Sequence, residues 1–330
     1  MDARTLEADA LLRPSELDPR LGQVLSDRYR IEKKLGEGGM GVVYAGTHLL
    51  IKRRVAIKML HPQFAQDGTI VARFQREAQA ATAIGHPHII EVFDMGRTPD
   101  GAVYMVLEFL DGQDFAHLLE ETQGPLPLGR TARILAQVAD ALSAAHEAKI
   151  IHRDLKPENV FLVKRGEDPD FVKLVDFGIS KVLDDAEGPV NKSLTRTGAA
   201  MGTPYYMPPE QIEGRKTIDH RADLYALGVM AYRALAGAFP FDAETLPMLM
   251  MRVLTTAPVS IAAYRPDLPA EIVQLIDSML SKDPLARPES AKAVRATFLA
   301  HQANSAPPLL AEVSIPKASI TAASFAETAM

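Results

Sequence analysis

The period of the apolar residues changes once along the chain, and this change limits the fold more than any other feature. In "RYRIEKKL" (28 to 35), "GVVYAGTH" (41 to 48) and "VAIKML" (55 to 60) apolar positions fall into the alternation of β-strands, separated by turn-rich breaks. "AVYMVLEFL" (102 to 110) reads as a further strand, with "DGQDF" as the break after it. Among these strands, "TIVARFQREAQAATAIG" puts Ile70, Phe74, Glu77, Ala81 and Ile84 at steps of three and four, one face of a helix that Gly85 and Pro87 end. Beyond them the helical period takes over: "TARILAQVADALSAAHEAK" aligns Ile134, Val138, Leu142 and Ala145, and "ADLYALGVMAYRALAG" and "AEIVQLIDSML" are further helices. The expected fold is α+β and bilobal, with a small β-rich lobe carrying one key helix (29–110) and a larger, mainly helical lobe (111–300).

Residues 1–28 read as a flexible leader, and 301–330, rich in Ala, Ser, Thr and Pro, as a flexible tail. No run approaches the roughly 18 to 20 apolar residues of a membrane-spanning helix, and the first residues mix acids and bases unlike a signal peptide. The net charge of −6 gives no sign of a general nucleic-acid or anionic-membrane binder. The absence of cysteine excludes disulfides, thiolate metal sites and cysteine nucleophiles. A cytoplasmic protein is expected.

Four stretches carry the chemistry. "LGEGGMGVVY" sets Gly36, Gly38 and Gly41 between two strands, where backbone amides can approach an anion closely; a glycine-rich hairpin fits the same stretch equally well. In "VAIKML" the alternation puts Ala56 and Lys58 on one strand face. Glu77, on the core side of its helix, needs a cation there, and Lys58 is the candidate. "HRDLKPEN" interrupts two apolar runs with Asp154 as an acceptor, Lys156 as a nearby charge and Asn159 as an oxygen ligand, on a stretch that Pro157 keeps from regular helix. "VKLVDFGIS" ends a strand with Asp176, and Asp176 with Asn159 is an oxygen pair of the kind magnesium accepts.

In this order the pieces resemble the eukaryotic-type (Hanks-type) serine/threonine protein kinases of the bacterial branch. The resemblance spans about residues 29 to 300 and includes "GTPYYMPPE", "DHRADLYALG" and "DPLARP". It implies that Lys58 holds phosphates and pairs with Glu77, that Asp154 accepts the substrate hydroxyl proton, that Lys156 steadies the transferred phosphoryl group, and that Asn159 and Asp176 hold the metal. It further implies a nucleotide site formed by Leu35, Gly36, Glu37, Gly38, Gly39, Met40 and Gly41 of the loop, Val43 and Ala56 above the adenine, Phe161 below it, hinge backbone groups at Glu108 and Leu110, and Asp114 at the ribose. Thr203 and Lys156 mark the serine/threonine branch. Asp223 would buttress the catalytic loop, and Glu210 would pair with Arg287 although Pro208 stands where the family has alanine. Thr195 and Thr197 would be the regulatory phosphosites and Arg153 the phosphate sensor.

The expected activity is transfer of the γ-phosphoryl group of ATP to Ser/Thr hydroxyls of proteins, with Mg2+ or Mn2+, and autophosphorylation of the activation loop. The alternative is an inactive pseudokinase acting as a nucleotide-binding scaffold. Expected partners are protein substrates and, by analogy within the family, a second copy through the small lobe; nucleic acid and a membrane segment are not expected.

Overall fold

The computed structural model describes residues 18–176 and 203–303. Six antiparallel strands form the first sheet: β1 (Val24–Leu25), β2 (Tyr29–Glu37), β3 (Gly41–His48), β4 (Arg53–Leu60), β5 (Val92–Arg97) and β6 (Val103–Glu108), ordered β1-β2-β3-β4-β6-β5. The alternation read from "VAIKML" holds in space. Val55, Ile57 and Met59 pack with Ile31, Tyr44 and Tyr104 on one face, while Ala56 and Leu60 pack with Val71, Phe74, Met105 and Leu107 on the other. Of the second group, Val71 and Phe74 belong to helix α1 (Gly68–Ile84), which thus lies against the face that carries Lys58, and Met105 and Leu107 to β6.

Local chemistry explains the ends of α1. Asp67 caps its first turn, accepting from the amides of Thr69 and Ile70 at 2.8 and 3.2 Å. Gly85 closes it in the left-handed conformation at φ 57°, donating to the Ala81 carbonyl.

The leader expected over residues 1–28 is shorter than the sequence indicated. Val24 and Leu25 pair with β2, Gly22 donates to Ile31 O at 2.9 Å, and Tyr44 donates to the Asp18 carboxylate at 2.8 Å. Arg20 completes the attachment with a 2.6 Å ion pair to Asp100. A two-residue strand has no period of its own to detect, which is why the sequence missed it. The rest of the expected leader, residues 1–17, and most of the tail, residues 304–330, lie outside the described residues.

"DGQDF" is likewise more than a break: β7 (Gly112–Asp114) joins β8 (Val160–Arg165) and β9 (Asp168–Leu174) in a three-stranded sheet, and Asp114 caps helix α2 (Phe115–Thr122). The large lobe follows, with α3 (Leu128–Glu147), α4 (Pro209–Ile212), α5 (Arg221–Ala236), α6 (Leu246–Thr255), α7 (Ala270–Met279) and α8 (Ala291–His301). The predicted stripe of α3, Ile134, Val138, Leu142 and Ala145, is fully buried. α5 is buried almost all round, as expected of a helix without a polar face, and forms the centre of the lobe. No helix among the described residues is long and apolar enough to cross a membrane.

Close packing of α5 on α7 depends on Gly228, where an added Cβ would lie 2.7 Å from the Met279 Cβ. Alanine there gains up to about 1 kcal/mol of helix propensity, but opening the helix pair costs up to about 3 kcal/mol. Chemical denaturation of Gly228→Ala is therefore expected to show a net loss of about 1–2 kcal/mol.

Candidate active site

Strand register assembles the site. Val160 opposes Leu174 in the β8–β9 hairpin, so Asn159, just before β8, and Asp176, just after β9, emerge at the same end. The Val175 amide closes this end by donating to the Asn159 carbonyl at 3.0 Å. Ahead of Asp176, β9 is bound to the small lobe: Leu174 donates to His88 O at 2.8 Å and Ile90 donates to Leu174 O at 2.9 Å. Asp176 itself adopts the left-handed conformation at φ 54°, an uncommon one for a residue other than glycine.

Lys58 lies between two carboxylates, 3.1 Å from Glu77 and 2.6 Å from Asp176. The cation that Glu77 requires is therefore the one anticipated. Burial disfavours the Lys58 ammonium, but Asp176 and then Glu77 outweigh it and hold its pKa above the usual lysine value. The same burial, with Asp176 nearby, pushes Glu77 above the usual carboxylate range despite the attraction of Lys58. Burial also acts to raise Asp176, yet Lys58 wins and holds it below that range.

The catalytic-loop candidates also come together. Lys156 Nζ is 3.4 Å from the Asp154 carboxylate. Pro157–Asn159 form a 3-10 turn, and Asn159 Nδ2 donates to the Asp154 carbonyl at 2.8 Å. That bond fixes the amide so that Asn159 Oδ1 is the atom left to accept. With Asp176, it provides two oxygen donors at one end of a hairpin, a set that suits a hard divalent cation.

Behind the loop, Asp223 in the first turn of α5 is buried and accepts three bonds. Its oxygens receive the amides of His152 at 2.9 Å and Arg153 at 2.8 Å, and His146 Nε2 lies 2.8 Å away. Burial would raise the Asp223 pKa, but the His146 contact and the other donors keep it below the usual value. Arg153 takes the left-handed conformation at φ 61°, and the carboxylate that accepts its amide holds this bend directly before Asp154. His146 was not singled out in the sequence; it lies on an α3 face that its neighbours made look purely apolar.

Val43, Ala56, Leu110 and Val175 gather with Met105 and Leu107 in one apolar cluster. Phe161 opposes Asp114 across the second sheet and is half-buried. The Glu108 amide is already bound to Glu91 O at 2.9 Å, and its carboxylate to Lys173 at 2.6 Å, so its carbonyl is what a ligand would meet. Asp114 has a structural task as well, since its carboxylate accepts from His117 N at 2.9 Å. In the glycine-rich stretch, Gly41 is demanded by strand packing: a Cβ there would lie 2.2 Å from Met59 O. Gly36 and Gly38 face open space, Leu35 and Met40 are exposed, Glu37 pairs with Lys34, and Gly39 is exposed at the tip.

Glu210 and Arg287 form a buried two-bond pair at 2.6 and 2.8 Å. Pro208 does not disturb it: its φ of −73° suits the ring, and its carbonyl starts α4 by accepting from Gln211 and Ile212. Thr203 begins a 3-10 turn ending at Tyr206. Thr195 and Thr197, like Ser193 and Gly178, lie outside the described residues.

A family model described as a protein kinase domain matches residues 29–299. The serine/threonine-protein kinase pkn3 of Myxococcus xanthus is 42% identical over 292 residues, covering 88% of this chain and 52% of that protein. Pkn1 of the same organism, also a serine/threonine-protein kinase, is 44% identical over 278 residues, covering 84% and 38%. The chain thus spans about half the length of the first of these curated relatives and less of the second. Among solved structures, the kinase domain of Mycobacterium tuberculosis PknI aligns with a TM-score of 0.65 and 28% identity, covering 87% of this chain and all of that one.

Asp223→Asn replaces one acceptor oxygen by a donor that faces another donor. A stability loss of about 2–3 kcal/mol is expected, read from the denaturation midpoint and slope.

Proposed function

The chain belongs to the protein kinase domain family, and on that premise we propose that it is an ATP-dependent serine/threonine protein kinase of the cytoplasm. The observation that carries this reading is the joint presence of Lys58 between Glu77 and Asp176 with the Asp154, Lys156 and Asn159 loop. A scaffold without transfer activity has no need of all six groups in register.

In the proposed reaction the γ-phosphoryl group passes from ATP to a Ser or Thr hydroxyl of a protein. Asp154 accepts the hydroxyl proton and orients the attacking oxygen, and Lys156, beside it, offsets the negative charge on the transferred group. Lys58 binds the α and β phosphates, with Glu77 keeping its ammonium in place. Mg2+, or Mn2+ in its stead, would be held by Asn159 and Asp176 and would supply charge neutralisation at the phosphates. With Asp176 so engaged, Lys58 is left to Glu77 and the nucleotide. The adenine fits between Val43 and Ala56 above and Phe161 below, with the Glu108 carbonyl and the Leu110 backbone at its edge and Asp114 toward the ribose. The barrier falls through positioning and electrostatics, without a covalent enzyme intermediate.

Regulation belongs to the same proposal: phosphate on Thr195 and Thr197 pairs with Arg153, whose backbone is already fixed by Asp223. For a small-lobe homodimer, one apolar surface on offer is the β3–β4 turn, where Leu50 and Ile51 are 79% and 66% exposed.

Purified chain incubated with ATP and Mg2+ is expected to phosphorylate itself. Asp154→Asn should lower the rate by about 10²-fold or more, and Lys58→Met should abolish transfer while leaving the circular dichroism spectrum intact. Equal phosphate on wild type and Asp154→Asn would refute the assignment. Mass spectrometry should find the phosphate on Thr195 and Thr197, and Arg153→Ala should remove the rise in activity that follows autophosphorylation.

A further inference from the structure

His61, the first residue after β4, returns to the glycine-rich turn and holds it in two places. Its amide donates to Met40 O at 3.0 Å, and its ring Nε2 lies 2.9 Å from Gly38 O. The turn has one bond of its own, from the Gly38 amide to Gly41 O at 2.8 Å. Because a carbonyl can only accept, Nε2 carries the proton in this contact. The ring is mostly covered, with 18% of the side chain exposed, and Glu37 Oε1 stands 3.7 Å from the same nitrogen.

These two contacts determine where the neighbouring amides point. In a trans peptide the C=O and the following N–H project to opposite sides of the chain. Holding the Gly38 carbonyl toward His61 therefore turns the Gly39 amide away from it, and holding the Met40 carbonyl does the same for the Gly41 amide. Gly38 itself has open space where a side chain would be.

We infer that His61 is a positioning residue for nucleotide binding, whose ring fixes the Gly38 peptide so that the amides of the turn are oriented before the triphosphate of a nucleotide arrives. The inference rests on the kinase reading, and it adds a residue outside the glycine motif itself. Orientation in advance removes part of the ordering cost of binding, so the effect falls on the KM for ATP rather than on kcat.

The test uses the full chain, titrated with a fluorescent ATP analogue and Mg2+ and then assayed for autophosphorylation against ATP concentration. His61→Leu removes the ring donor but keeps the backbone bond to Met40, and is expected to raise Kd and KM about 3- to 10-fold, the loss of one hydrogen bond, at an unchanged melting midpoint. His61→Gln, whose amide nitrogen reaches about as far as Nε2, should return both to within about two-fold of wild type. His61→Asn, polar but too short, should behave as the leucine variant does, and it serves in its place if the leucine variant does not fold. A wild type that binds and transfers phosphate, with the leucine and asparagine variants indistinguishable from it, overturns this inference alone. A glutamine variant as weak as the leucine variant overturns it as well. A wild type that binds no ATP overturns the kinase reading and this inference together.

Discussion

The ammonium group of Lys58 is where the first sheet, the helix α1 and the β8–β9 hairpin meet. Its strand places it on the face that packs α1, α1 brings Glu77 to within 3.1 Å, and the hairpin brings Asp176 to within 2.6 Å. Withdrawing both carboxylates would leave a mostly buried cation uncompensated, and withdrawing Lys58 would leave Glu77 and Asp176 as unscreened like charges. This charge cluster is thus a condition on the relative placement of the two lobes as well as a feature of the site.

A second buried carboxylate performs the corresponding task for the catalytic loop. Asp223 comes from the centre of the large lobe, where α5 is buried nearly all round, and it binds the backbone of the loop rather than a side chain. The left-handed Arg153 would relax toward common backbone conformations without that acceptor. Rigidity of the helical core is passed to Asp154 through two amide hydrogens. The proposed base is therefore held by the best-packed part of the molecule, although it lies on a loop.

The sequence made visible what periodicity and unpaired charge can reveal. The faces of β4, the core stripe of α3 and the need of Glu77 for a cation all follow from local pattern, because a buried position has only a few tolerable occupants. What it concealed was set by tertiary register or by very short segments. Nothing in "QVL" announces that Val24 and Leu25 extend the sheet, and nothing in "DGQDF" separates a three-residue strand with a helix cap from a plain turn. His146 and His61 leave no signal in the sequence for another reason: each acts on a residue far away in sequence or through backbone carbonyls, and no motif spacing records such contacts.

The glycine-rich turn shows how one stretch can answer to two demands. At Gly41 the demand is internal, since the Met59 carbonyl leaves no room for a side chain. At Gly36 and Gly38 the protein offers no obstacle, so the space must be kept for something other than packing. A turn made of such residues has high backbone entropy and would be poorly ordered if left alone. The contacts from His61 and the internal Gly38–Gly41 bond supply the order on the protein side, while the opposite side of each peptide stays available to an anion. Glycine frequency by itself cannot separate a flexible hairpin from a phosphate cradle; the bonds that fix the carbonyls of this turn favour the cradle.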